Sequence, residues 1–162
     1  MNRVALSAQE FPLPKWALRL KKYTRNVLNV LGKDKWDISV LLCGDKTISS
    51  LNSRYRKKNG ATDILSFSLD EGEKFPGRGK RKYSEIIISL DSMRSNARRF
   101  KICEDEELRR LLIHGILHID GMDHAGSLEP VGSLENKSEP MLLLQEKILA
   151  RLSNEHIIKK DI

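Results

Sequence analysis

Apolar residues recur along the first third of the chain with two different periods. Across residues 14–31, Trp16, Leu20, Tyr23, Val27 and Leu31 stand three or four apart, which places them on one face of a helix. Pro14 suits the first turn of that helix and Gly32 its stop. Across residues 36–42 the period falls to two, with Trp36, Ile38, Val40 and Leu42 set against Asp37 and Ser39, which predicts a strand. Asp45 is then the expected cap of a helix running to about Arg56, with Ile48, Leu51 and Tyr55 facing inward.

Two further strands are expected over residues 64–69 and 83–90, and the run Ile86, Ile87, Ile88 in the second predicts cover on both faces. Between them a Gly- and Pro-punctuated segment, residues 70–82, carries Arg78, Lys80, Arg81 and Lys82 and is expected to be an exposed loop. Asp91 is the predicted cap of a helix that turns Met93, Ala97 and Phe100 inward and Arg94, Arg98, Arg99 and Lys101 outward. The acidic run Glu104 to Glu107 favours the start of the next helix through its dipole, and that helix should reach Ile119 or Asp120. GSLEP at residues 126–130 is nearly repeated at 132–136, a duplication too short for a repeat architecture. A last helix over residues 138–152, capped by Ser138, presents Met141, Leu144, Ile148 and Leu152, and the tail beyond Asn154 is expected to fray. These elements predict an α+β fold: one domain over residues 1–162, with roughly three to four strands in a small mixed sheet packed with about five helices.

Composition narrows the picture. A chain of 162 residues with 40% hydrophobic positions can bury one core. Its two cysteines, Cys43 and Cys103, cannot assemble a disulfide framework or a cysteine zinc knuckle, and both are expected to be buried free thiols. No segment approaches the ~18 apolar residues of a membrane span, so no membrane partner and a cytoplasmic location are expected. A net charge of +7 favours polyanionic partners such as nucleic acid.

The chemistry is concentrated in residues 114–124, HGILHIDGMDH, which hold three of the four histidines. His114 and His118 stand four apart on a predicted helix, so their imidazoles share a face. Gly121 can end that helix in the left-handed conformation and turn the chain so that His124 supplies a third imidazole. Three neutral imidazoles suit one Zn²⁺ ion and leave a coordination position for water, the arrangement of a catalytic site. The spacing is also that of the metzincin peptidases, whose pattern places a Glu after the first His. Gly115 stands there instead and cannot act as a general base; its expected role is close packing against a neighbouring element.

The same residues resemble the YbeY family of bacterial endoribonucleases, whose signature is close to H-G-x-L-H-L-x-G-Y-D-H; the chain differs at Ile119 and Met122. Residues 51–67, LNSRYRKKNGATDILSF, resemble that family's second motif, L-N-x-x-Y-R-x-K-D-x-x-T-D-V-L-S-F. The chain departs from the family pattern at Asn59, Ser68 and the Ser84-Glu85 pair. Over residues 36–149 the resemblance implies a mixed sheet flanked by helices, zinc on His114, His118 and His124, and cleavage of single-stranded RNA in ribosomal RNA maturation. Ribosomal components are possible partners in that setting. Arg56 matches the family's functional arginine, and a guanidinium there would offset charge on a phosphoryl group under attack.

Two rival readings stand beside the endoribonuclease. One is a zinc hydrolase of peptides or another substrate, which the histidine spacing allows and Gly115 opposes. The other is a non-catalytic RNA- or ribosome-binding protein with structural zinc. Asp120 and Asp123 adjoin the histidines without an assigned role, and Arg78 to Lys82, Arg94 to Lys101 and Arg109-Arg110 could line a phosphate-tracking groove.

Overall fold

Among the residues that the computed structural model describes, 1–69, 81–123 and 140–159, the chain runs β1 (Arg3–Ala8), α1 (Ala17–Val30), β2 (Trp36–Cys43), α2 (Asp45–Arg56), β3 (Ile64–Ser68), β4 (Lys82–Ser89), α3 (Leu90–Phe100), α4 (Glu104–Ile119) and α5 (Pro140–Arg151). The strands form one mixed sheet in the order β1-β2-β4-β3. β1 and β4 both run parallel to β2, and β3 lies antiparallel to β4 at the edge. The single small α+β domain expected from the sequence is therefore present. Among the described residues no helix is long and apolar enough to cross a membrane.

Period-two patterning explains how the sheet carries two cores. Ile38, Val40, Leu42, Ile86 and Ile88 face a core shared with Leu20, Val27 and Leu28 of α1 and Leu108, Leu111 and Leu112 of α4. Leu41, Cys43, Ile87 and Leu65 face the other way and pack with Ile48 of α2. The isoleucine run in β4 is covered on both faces because helices lie on both. α4 is buried almost all round, from Leu108 to Leu117, and so runs through the middle of the main core.

Several expectations are corrected. β1 was not foreseen; its signal is the alternation of Val4, Leu6 and Ala8, too short and polar-flanked to stand out until β2 offers a parallel partner at Val4↔Ile38 and Leu6↔Val40. α2 begins after Gly44, and its first amides are satisfied from a distance: Glu10 Oε2 accepts from Gly44 N at 2.8 Å and from Thr47 N at 3.2 Å. Asp91 does not cap its own helix but accepts from Asp45 N at 2.9 Å, while Ser89 Oγ caps α3 by accepting from Ser92 N at 3.2 Å. Cys43 is buried as expected, but Cys103 is exposed. The Ser138 cap, the GSLEP duplication and the loop over residues 70–80 lie outside the described residues.

The tail past Asn154 is not frayed. Ile157 is fully buried, and Asp105 Oδ1 accepts from the main-chain N–H of Ile157 at 2.7 Å and of Ile158 at 2.8 Å. The other oxygen of Asp105 meets Arg109 Nε at 2.9 Å and His156 Nδ1 at 3.0 Å. Burial pushes the Asp105 carboxyl up, but His156, these two amides and Arg109 outweigh it and hold the pKa below the ordinary value. Arg109 and Arg110 therefore do not line a phosphate groove: both are buried, Arg109 on Asp105 and Arg110 on Glu107 at 2.7 Å. Arg81 pairs with Asp37, with Nε at 3.0 Å, and the Lys82 ammonium donates to Ile119 O at 2.6 Å. Asp105→Ala strands a buried guanidinium and two amides, and should lower the unfolding free energy by roughly 3–5 kcal/mol. Denaturant titration measures that loss, and hydrogen exchange should show residues 155–159 opening before the core.

Candidate active site

His114 and His118 lie on the last turns of α4, one turn apart, with ring centroids 4.6 Å apart and planes at 78°. Each ring is held through Nδ1. The Nδ1 of His114 lies 2.8 Å from Oε1 of Gln145, a buried residue of α5, and the Nδ1 of His118 lies 3.1 Å from the main-chain oxygen of Met122. Carbonyl oxygens only accept, so the proton of each neutral ring sits on Nδ1 and the lone pair on Nε2.

The Met122 oxygen reaches His118 because of how α4 ends. Gly121 N donates to His118 O and Met122 N to Leu117 O, both at 3.0 Å, with Gly121 at φ +90°. This is a Schellman pattern, built on the left-handed helix end that the sequence predicted at Gly121, and the residue is a glycine because a Cβ is disfavoured there. Lys82 closes the same helix end on the Ile119 carbonyl.

Gly115 has the packing role expected of it. A Cβ placed on it would lie 2.7 Å from Cδ1 of Ile64 and 3.5 Å from Cδ1 and Cγ2 of Ile86. The missing side chain lets β3 close on α4 beside His114. A cleft of about 940 Å³ opens between these elements, lined by His114, His118 and Asp123 from α4 and its turn, Asn52, Tyr55 and Arg56 from α2, and residues 62–68. A second cavity, about 670 Å³ between α3, the start of α4 and the C-terminal segment, contains neither His114 nor His118.

Arg56 reaches the cleft from the last turn of α2. Its Nη2 donates to Ser66 O at 3.0 Å, and its guanidinium lies 5.3 Å from the ring centre of Phe67. Antiparallel pairing turns the Leu65 and Phe67 main chain toward β4 and the Ser66 carbonyl toward the free edge, where Arg56 takes it. Asp63, just before β3, accepts from Asn96 Nδ2 at 2.9 Å, and the same amide donates to Glu107 Oε1 at 3.3 Å. Burial raises the Asp63 pKa against the pull of Asn96 and the Ile64 N–H.

The structure thus brings His114, His118 and Arg56 to one cleft; His124 lies outside the described residues. Among the described residues no three His, Cys, Asp or Glu side chains form a metal-binding group, so two of the expected three donors are in view. Sequence reasoning missed Gln145, whose signal was available: it stands four after Met141 and three before Ile148, a polar residue on an apolar helical stripe. It also missed Asp63, which sat inside a noted motif with no partner to read from it.

Comparison with known proteins shows the family of the chain. The family model described as Endoribonuclease YbeY matches residues 5–153. A protein named Endoribonuclease YbeY from Treponema pallidum subsp. pallidum is 39% identical over 153 residues, covering 93% of this chain and 90% of its own. Its namesake in Treponema denticola is 38% identical over 144 residues, covering 88% and 87%. The solution structure of TM1509 from Thermotoga maritima superimposes with a TM-score of 0.57 at 26% identity, covering 99% of this chain and 97% of that one. The chain is an enzyme of the hydrolytic nuclease class. It belongs to the Endoribonuclease YbeY family, and the likeness reaches into β1 and α1, beyond the motifs that first suggested it.

The raised Asp63 pKa has a measurable consequence. The folded state holds this proton more tightly than the unfolded chain, so stability falls as pH rises from about 3.8 through the folded value. Asp63→Asn removes the ionisation. Urea unfolding of chelator-treated protein at pH 4 and pH 7 should therefore show the stability of the variant, relative to wild type, rising with pH; a variant that loses ground to wild type between pH 4 and pH 7 contradicts the assignment.

Proposed function

We propose that the chain is a zinc-dependent endoribonuclease that cuts single-stranded RNA in the cytoplasm, acting on ribosomal RNA or its precursors, with ribosomal components as possible partners. One observation carries the reading: two imidazoles whose Nδ1 protons are fixed by carbonyl oxygens share a cleft with an arginine suited to phosphate. The names of the relatives support RNA as substrate.

The donor set fits one zinc ion. His114 and His118 offer Nε2 lone pairs from adjacent turns, and the Gln145 and Met122 oxygens behind them orient the rings as outer hydrogen-bond partners of a metal site do. His124 would complete the set. Bound there, the ion would supply a water acidified toward neutrality. The chain's own residues do the rest. Arg56, steadied on Ser66 O and Phe67, meets the phosphoryl oxygens and offsets the charge that grows as water adds to phosphorus. The peptidase reading loses ground at Gly115, which is filled by Ile64 and has no base to offer.

The test uses full-length protein with its metal quantified, incubated with single-stranded RNA, double-stranded RNA and casein. Wild type should carry about one zinc per chain and cut single-stranded RNA. His114→Ala should lose both metal and cleavage. Arg56→Ala should keep the metal and lose roughly 10²–10³-fold in kcat. Cleavage of casein without RNA, or RNA cleavage undiminished in both variants, overturns the proposal. In a separate competition with a chelator, Gln145→Ala should bind zinc about 10- to 100-fold more weakly. Unchanged affinity would remove Gln145 from the site.

A further inference from the structure

Tyr55 breaks the pattern of its helix. It stands four after Leu51 and seven after Ile48, where periodicity predicts an inward side chain, yet it is 60% exposed. It is exposed within the cleft that holds His114, His118 and Arg56. Its ring meets Phe67 edge-on, with centroids 5.7 Å apart and planes at 62°, and the Arg56 guanidinium lies against the same Phe67. An aromatic held by a second aromatic on one side and more than half exposed is a ready platform for a planar ligand.

The neighbours name the kind of ligand. Tyr55 and Arg56 are consecutive in the last turn of α2, so one turn presents an aromatic face and a phosphate-binding fork side by side. β3 runs past them as an edge strand, and the alternation of its ladder turns the main-chain groups of Ile64, Ser66 and Ser68 away from β4, toward its open side. Aromatic face, guanidinium and main-chain donors and acceptors are what an unpaired nucleotide requires, and a base locked in a duplex cannot offer its face.

We propose that Tyr55, braced by Phe67, is a nucleobase-stacking subsite that seats a base of single-stranded RNA beside the phosphate contacted by Arg56. This rests on the RNA reading above and adds the reason for single-strand preference. Because every base has a π-face, the subsite selects unpaired over paired RNA without strong sequence choice.

The experiment uses zinc-loaded full-length protein and a short single-stranded RNA cut by wild type, prepared intact, with 2-aminopurine placed in turn beside the scissile phosphate, and with an abasic nucleotide at the same positions. Tyr55→Ala should raise KM on the intact RNA roughly 5- to 150-fold, the range for one lost base–aromatic stack, with the loss falling on KM rather than kcat. At one position 2-aminopurine fluorescence should be quenched on binding wild type and Tyr55→Trp, and not on binding Tyr55→Ala. The abasic RNA at that position should bind wild type and Tyr55→Ala alike. An equal KM penalty on intact and abasic RNA at every position, or no penalty at all, overturns the subsite while leaving the nuclease reading intact. Failure of wild type to bind or cut single-stranded RNA overturns both. The melting temperature of Tyr55→Ala should match wild type, since the ring is exposed; a large drop would show a packing role and overturn the assignment.

Discussion

The site depends on one close approach: the start of β3 lies against α4 at Gly115, where Ile64 occupies the volume a side chain would need. A glycine inside a helix costs about 1 kcal/mol relative to alanine. Here that cost is offset by bringing an edge strand against the helix that carries two histidines. Asp63 and Ser66 are delivered to the cleft from that strand's start and middle, and Ser66 in turn fixes Arg56. Helix and strand are thus registered through an apolar contact, and the arginine through its hydrogen bond to that strand.

The charges of the chain divide into two populations. Asp105 with Arg109, and Glu107 with Arg110, are buried pairs on α4 that hold the C-terminal segment and the helix in place. Arg56 and the outward residues of α3 remain for partners. The number of basic residues therefore overstates the contacts available to a polyanion, because Arg109 and Arg110 are internal ties, although the net charge of +7 is unchanged since each takes a buried acid with it.

Much of this was legible in the residues. The helical and alternating periods located α1, β2, β4 and α3, since each buries a stripe, and the acidic run from Glu104 to Glu107 located the start of α4; the period read over α2 is true at Ile48 and fails at exposed Tyr55. Gly121 announced the turn that ends α4, and Gly115 announced close packing, because only sterics require glycine at those places. What was not legible depended on distant partners. β1 is too short to declare itself before β2 pairs with it. Asp45 and Asp91 look like caps of their own helices, and only the fold shows Glu10 and Asp91 arriving from elsewhere. The tail looked free because Asp105, some fifty positions earlier, gives no local sign of binding it. The same gap hid Gln145 behind His114, since a buried amide and its imidazole meet only after α5 packs on α4.

The turn at Gly121 links backbone shape to acid–base chemistry. The Met122 carbonyl faces His118 only while residue 121 keeps its left-handed conformation, and that carbonyl decides which ring nitrogen bears hydrogen. Gly121 also lines the cleft, and a bulkier residue there would strain the left-handed turn. It would free the ring to swap tautomers, so that part of the population presents a protonated nitrogen where an electron pair is needed.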